Sequence, residues 1–265
     1  MLGLGIVRRI LAHSSSKCKR NDGGLFSCVW NAAEILEYLS EHLCSVDAQM
    51  REQQCYHGLD SYSEVQLHPV LCQAFASSSM GVVREVGYPS SAISVPKNRP
   101  NETQRQRCDL VLTPGENDAL FDPIHEQREQ DRALGTLFES FADEIQPEPE
   151  GVLPSDAYWL EVKSVGQFSY VDGVPGVNPK YTSELLGGPR ADVVKLASDP
   201  LIHHGAALVV LFSEERATGP HDIMTSVSAM IEQGLPISVP EFASIPIVNH
   251  AGNEWCTLGL IPIRL

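Results

Sequence analysis

The stretch Tyr158-Trp159-Leu160-Glu161-Val162-Lys163-Ser164-Val165 decides how the rest of the chain is interpreted. Its apolar and aromatic composition, between the turn residues 154–156 and Gly166, predicts a short buried β-strand. Side chains alternate between the two faces of a strand, so Glu161 and Lys163 share one face. Charged side chains are rarely buried unless they pair or bind a ligand. The two charges therefore mark a candidate functional site.

A second predicted strand, Cys108–Leu112, also carries one embedded acid, Asp109. If neighbouring strands present Asp109 and Glu161 to the same spot, two like charges come close together, which is costly without a cation between them. Magnesium suits such a place, because it binds carboxylates, carbonyl oxygens and water. Lys163 would then orient or activate a metal-bound water, or stabilise charge on a phosphate group.

Asp109, followed on the next core strand by Glu161-Val162-Lys163, resembles the signature of the PD-(D/E)XK nuclease superfamily, which has the restriction-endonuclease-like fold. The resemblance implies that Asp109, Glu161 and the backbone carbonyl of Val162 hold Mg²⁺ or Mn²⁺, and that Lys163 assists the attacking water. Many members add a glutamate from the helix before these strands. Glu64 is the best match for it, with Glu34 as the reserve candidate.

Members of this superfamily often carry a basic or amide side chain on the helix after the lysine strand. Arg190 and Lys195 stand there, and they are the candidate substrate-binding residues. Two departures from the pattern are visible. Cys108 occupies the position of the signature proline, and the interval between the two acids is longer than a hairpin needs. We expect residues 113–157 to be an insertion that fills this interval.

Apolar periodicity and turn residues predict an alternation of helices and strands along the chain. The predicted helices cover Phe26–Leu43, Val65–Ala76, a segment from Asp122 to Ile145, Pro189–Ala197 and Pro220–Gln233. The predicted strands are Val82–Val86, Cys108–Leu112, Tyr158–Val165, Ala206–Phe212 and Trp255–Ile263. We expect a loop or short helix over Ser45–Ser61, and a surface loop over Gly166–Gly188 because of its glycine and proline content. This order predicts an α/β fold with a central mixed β-sheet flanked by helices, and the resemblance makes it restriction-endonuclease-like.

The composition is that of a globular protein, with 265 residues, 43% hydrophobic and 20% charged. We expect residues 1–25 to be disordered and residues 26–265 to form a single nuclease-like domain with an N-terminal helical extension. The seven cysteines are odd in number and include no Cys-x-x-Cys pair. This argues against a disulfide framework or zinc ribbon and indicates a reducing, cytoplasmic setting. No apolar run approaches the ~20 residues that span a bilayer, so no membrane contact is expected.

The net charge of -15, from 19 basic and 34 acidic residues, limits the interpretation of the partner. It counts against a broad positively charged surface for nucleic acid, because contacts with phosphate groups dominate the affinity of proteins for nucleic acid. A narrow basic cleft stays compatible with it, and a protein partner or a second copy of the chain is left open. The favoured activity is metal-dependent hydrolysis of phosphodiester bonds in nucleic acid, with DNA preferred. Two alternatives remain: a catalytically inactive nuclease-fold protein used for binding or scaffolding, and a metal-dependent phosphoesterase acting on a small substrate.

Each candidate residue also has a purely structural interpretation. Glu161 and Lys163 could form an ion pair without a catalytic role, and Asp109 could be solvated at a strand edge. Glu64 could serve only as a first-turn acid that favours the helix dipole. Basic residues on a helix surface are usually solvated.

Overall fold

Six strands form the central sheet of the computed structural model, which describes residues 30–90, 106–116, 118–125, 151–171 and 173–264. These strands are β1 (Gly81–Gly87), β2 (Arg107–Thr113), β3 (Tyr158–Gly166), β6 (His204–Ser213), β7 (Glu241–Pro246) and β8 (Trp255–Pro262). Their spatial order is β1-β2-β3-β6-β8-β7. Strands β3 and β6 are parallel, and all other neighbours are antiparallel. A separate hairpin consists of β4 (Phe168–Val171) and β5 (Val174–Val177).

Helices cover both faces of this sheet. Helices α1 (Ala32–Glu52) and α2 (Glu64–Gln73) pack on one face, and α3 (Tyr181–Ala197) and α4 (Thr218–Glu232) pack on the other. The alternation of β3 serves both layers, since Leu160 and Val162 join the core under α1 and α2, whereas Trp159 and Val165 pack on the α3 side. The predicted α/β fold with a central mixed sheet flanked by helices is confirmed.

Strand β6 is buried along its length apart from its first residue, as expected of a central strand covered on both faces. Helix α2 begins at Glu64, and the backbone N–H of Ser63 donates to the Gln66 side chain at 2.9 Å, which closes the start of the helix. Glu64 is therefore the first residue of α2, in the turn with which this helix begins.

The first helix is longer than predicted and reaches Glu52. It begins after Asn31, whose side chain accepts the N–H of Ala33 at 3.1 Å. The segment Ser45–Ser61, expected to be a loop or short helix, continues α1 as far as Glu52 and has one further helical turn at Leu59–Ser61. Buried Asp47 stabilises the added part of α1. Its carboxylate accepts the N–H of Val248 at 3.1 Å and pairs with Arg51 at 3.3 Å.

The predicted surface loop over Gly166–Gly188 is wrong. That segment contains the β4–β5 hairpin and the first half of α3, which begins at Tyr181 instead of Pro189. Packing of Leu185 and Val193 into the core on the α3 face outweighs the weak helix preference of the glycines and the proline. Strand β7 was not predicted, and it pairs with β8 along the edge of the sheet.

Several predictions fall outside the described residues. They are the disorder of residues 1–25, most of the helix predicted from Asp122 to Ile145, and much of the insertion 113–157. The described start of that helix is a helical turn at 123–125, preceded by Asp122, whose side chain accepts the N–H of Ile124 at 3.0 Å. None of the helices described is both long enough and apolar enough to cross a membrane.

Candidate active site

The candidate site forms where β2 separates from β3. The two strands pair only along residues 158–160 of β3. Beyond that point, the N–H of Val162 donates to Asp109 Oδ2 at 2.7 Å, and the N–H of Ser164 donates to Glu64 Oε2 at 3.3 Å. Two carboxylates thus take the place of the missing strand backbone. Asp109 from β2 and Glu64 from α2 therefore meet at one edge of β3.

Lys163 reaches the same edge and pairs with Glu64. Its Nζ lies 2.9 Å from Glu64 Oε2 and 3.1 Å from Oε1. A Cβ atom on Gly188 would lie 2.8 Å from Lys163 Cδ, so this glycine of α3 leaves room for the lysine stem. Burial by itself lowers the pKa of Lys163, but the Glu64 hydrogen bond and the nearby Asp192 and Asp109 outweigh it and the pKa is raised. Lys163 is therefore a charged donor at neutral pH and not a proton acceptor.

Glu161 is 2% exposed and faces the α3 side of the sheet. The Tyr88 hydroxyl donates to its Oε1 at 2.5 Å, and Lys195 Nζ lies 3.6 Å from the same oxygen. Burial raises the pKa of Glu161 to about 8; the Tyr88 hydrogen bond and Lys195 act against this rise, whereas Asp109 and Asp192 add to it. Without a further cation, the Glu161 carboxyl group is thus largely protonated at neutral pH.

The two predicted substrate-binding residues differ in their surroundings. The closest carboxylate contact of Lys195 is Asp192 Oδ1, at 2.9 Å. Burial raises the pKa of Asp192, and its Oδ2 is buried with no hydrogen-bond partner among the described residues. Lys195 therefore lies within a carboxylate cluster, which consists of Glu64, Asp109, Glu161 and Asp192. Arg190 is exposed and donates to Gln233, just beyond the end of α4, at 3.1 Å.

A buried histidine lies on the α2 side of Asp109. The ring of His68 lies between two carboxylates, with Nε2 3.8 Å from Asp109 Oδ1 and Nδ1 3.6 Å from Glu85 Oε1. Within the described part of the chain, His68, Glu85 and Asp109 are the one set of three side chains with ligand atoms all within 4.8 Å of one another. Glu64, Asp109 and Glu161 do not form such a set.

Sequence reasoning missed four residues of this region: Tyr88, Asp192, His68 and Glu85. Spacing could have indicated two of them, because His68 follows Glu64 by four positions on α2 and Asp192 precedes Lys195 by three on α3, so each pair shares a helix face. Tyr88 and Glu85 carry no such signal, since they reach the site only through the pairing of β1 with β2.

The two remaining residues singled out from the sequence, Glu34 and Cys108, make contacts that explain them structurally. Glu34 lies in the first turn of α1, where it interacts with Tyr38 and not with the carboxylate cluster. Cys108 is buried, its thiol donates to the carbonyl of Leu160 at 3.3 Å, and burial raises the pKa of that thiol.

Comparisons of the chain with protein-family models, curated proteins and solved structures found no match.

Proposed function

We propose that the protein is a magnesium-dependent nuclease with a restriction-endonuclease-like fold, acting on nucleic acid and preferentially on DNA. One observation carries this proposal. Glu64, Asp109 and Lys163 meet at the edge of β3 that β2 leaves unpaired, and Glu161 lies on the same strand. A site that combines several carboxylates with one positioned lysine suits phosphodiester hydrolysis, in which a metal ion and a cation act on the same phosphate.

The residues present fit magnesium. Asp109 and Glu161 offer hard oxygen ligands, and the carbonyl of Val162 lies on the same strand edge as its N–H, which donates to Asp109. Glu161 is buried without a full counter-charge, because Lys195 lies closer to Asp192 than to it. These groups would hold Mg²⁺ or Mn²⁺, which supplies Lewis-acid polarisation of the phosphate and a water of lowered pKa when bound.

The protein side chains have separate roles in this proposal. Lys163, kept protonated by its carboxylate neighbours, donates to a phosphate oxygen and stabilises the charge that develops there. Glu64 positions Lys163 through two short contacts and fixes the β3 edge through Ser164. Lys195 balances Glu161 and Asp192, and its partly exposed ammonium group is the nearest further contact for a phosphate. Arg190 stays a predicted substrate contact at the outer surface of α3.

The experiment is a cleavage assay on single-stranded and double-stranded DNA and on RNA, with Mg²⁺ or Mn²⁺ and with a chelator. We expect metal-dependent cleavage by the wild type and a loss of about 100- to 1,000-fold in Lys163→Ala, the size of effect seen when one preorganised donor is removed. Lys180→Ala, which removes an exposed lysine at the start of α3, is the matched control and keeps full activity. Equal rates for the wild type and Lys163→Ala contradict the proposal.

A second candidate is a catalytically inactive protein of this fold that binds or scaffolds. The charge of -15 and the pairing of both site lysines with carboxylates favour it, because little free positive charge is left for a polyanion. In the same assay it corresponds to no cleavage of any nucleic acid with either metal. Hydrolysis of a small phosphodiester together with intact nucleic acid instead indicates a phosphoesterase acting on a small substrate.

A further inference from the structure

His68 differs from the other buried polar side chains in the described part of the protein in having two buried atoms without a hydrogen-bond partner. It is 1% exposed, and both of its ring nitrogens lack a hydrogen-bond partner among the described residues. A buried polar group without a partner is costly, and most such groups in folded proteins are satisfied. His68 is therefore placed for a partner that the described residues do not supply.

Two carboxylates flank the histidine and complete a set of ligand atoms. Nε2 faces Asp109 Oδ1 at 3.8 Å, and Nδ1 faces Glu85 Oε1 at 3.6 Å. Each of the three side chains offers one ligand atom within 4.8 Å of the others. The ligand atoms of a tetrahedral site with metal bonds of about 2.0–2.2 Å stand about 3.3–3.6 Å apart. The three ligand atoms, which lie within 4.8 Å of one another with one of the two ring nitrogens as the histidine ligand, must therefore draw together by up to about 1.5 Å to share one ion.

The backbone at Glu85 is a separate observation on the same place. Glu85 has φ +54° in the middle of β1, directly opposite Asp109, and these two residues are the gap in an otherwise continuous register between β1 and β2. A non-glycine residue in this region costs about 1–3 kcal/mol, and such residues cluster at ligand sites. The distortion leaves the Glu85 carboxylate facing the buried ring of His68.

We infer that His68, Glu85 and Asp109 form a binding site for a divalent transition metal ion, of the class of Mn²⁺, Fe²⁺, Co²⁺ or Zn²⁺. One imidazole and two carboxylates match these ions, whereas Mg²⁺ prefers oxygen ligands and retains its water. The half-exposed Glu85 gives access from solvent, and open positions are left for water or a substrate oxygen.

This site is distinct from the magnesium ligands of the proposed nuclease, although Asp109 is common to both. Asp109 Oδ2 accepts the Val162 N–H, and Oδ1 faces His68. Besides the shared Asp109, the inferred site needs His68 and Glu85, neither of which the nuclease proposal uses, and its test measures metal binding and not cleavage. The inference therefore stands or fails independently of any cleavage activity.

The test is the binding of Co²⁺ and Zn²⁺ to the full chain after treatment with a chelator. Co²⁺ reports imidazole ligation by its visible absorption, and calorimetry gives the affinity for Zn²⁺ and the stoichiometry. We expect one tight ion per chain, with Mg²⁺ in excess unable to displace it. His68→Gln should weaken Zn²⁺ binding by more than about 100-fold, beyond the about 10- to 100-fold effect of outer-shell partners.

Two controls keep the test decisive. Glu85→Gln changes a half-exposed side chain, so it leaves the fold intact and should weaken binding even if His68→Gln unfolds the protein. His57→Gln removes an exposed histidine and should leave the Co²⁺ spectrum and the Zn²⁺ affinity unchanged. Absence of tight Co²⁺ and Zn²⁺ binding in the wild type overturns the inference, as does unchanged binding in Glu85→Gln. Metal binding without nuclease activity supports it and contradicts only the proposed function.

Discussion

Replacing Glu161 with glutamine should change how the stability of the metal-free protein depends on pH. Burial raises the pKa of Glu161 to about 8 in the folded protein, against an ordinary value of 4.5. Below about pH 4.5, the folded and the unfolded chain both carry the proton and no stability is lost. Between about pH 4.5 and 8, the unfolded chain releases the proton first, so the free energy of unfolding falls with rising pH. The gap between the two pKa values corresponds to about 5 kcal/mol at most.

The Glu161→Gln variant lacks this decline, because an amide does not ionise. Its side chain keeps the shape of the glutamate and an oxygen that can accept the Tyr88 hydroxyl. We therefore expect the variant to match the wild type within about 1 kcal/mol near pH 5 and to exceed it by several kcal/mol near pH 9.

The assay is urea unfolding across this pH range in the presence of a chelator. Glu37→Gln, an exposed acid on α1, is the control and should run parallel to the wild type at every pH. Repeating the series with Mg²⁺ should restore stability to the wild type above neutral pH, by about 2.7 kcal/mol at a concentration of 100 Kd, and restore little to Glu161→Gln. Parallel curves for Glu161→Gln and the wild type without metal would refute the reasoning, since Glu161 would then be ionised in its buried position.

Three further perturbations test the arrangement around the lysine and the strained strand. Glu64→Gln removes the charge that pairs with Lys163, so we expect the pKa of Lys163 to fall in NMR titration. The free energy of unfolding should drop by only about 1 kcal/mol, because both side chains are partly exposed and solvent weakens their attraction. Gly188→Ala should push Lys163 aside and reduce the proposed nuclease activity without lowering the melting temperature, because alanine is the better helix former by about 1 kcal/mol. Gly187→Ala, whose added Cβ meets nothing within 4 Å, should leave the proposed activity unchanged. Glu85→Gly should raise the free energy of unfolding by about 1 kcal/mol in thermal denaturation, since glycine adopts positive φ freely, and a loss of stability would show that the Glu85 side chain holds the strand.

Much of the sheet was predictable because its central strands carry strong local signals. The apolar runs of β3 and β6 have the length and the composition of buried strands, and their order with the helices indicates the layers. The charges Glu161 and Lys163 stand out for the same reason, since they interrupt such a run. Asp109 follows from the same pattern on β2.

Other elements depend on partners distant in the sequence and could not be predicted from local composition. The first half of α3 contains Gly187 and Gly188, which weaken a helix, but Gly188 is needed where the stem of Lys163 passes. Strand β7 has no clear alternation and is defined by its pairing with β8. Tertiary packing outweighs local preference in both cases.

The contacts of the site were the least predictable part. Glu64 could be named as a candidate, but its bond to Lys163 exists only because β2 ends its pairing early and opens the edge of β3. His68 and Glu85 come together with Asp109 because α2 packs on the face that β1 and β2 form. Spacing places Glu64 and His68 on one face of α2, but nothing in the sequence indicates that Lys163, Glu85 and Asp109 meet that face.

The open edge of β3 makes two backbone amides into internal reporters of the site. The protons of Val162 and Ser164 are held by the carboxylates of Asp109 and Glu64, and not by a neighbouring strand. Their chemical shifts and their exchange with deuterium should therefore follow any event that draws those carboxylates away, such as the arrival of an ion or a phosphate. A single isotope-labelled sample would thus read occupancy at both carboxylates at once, from the backbone and without a substitution in the site.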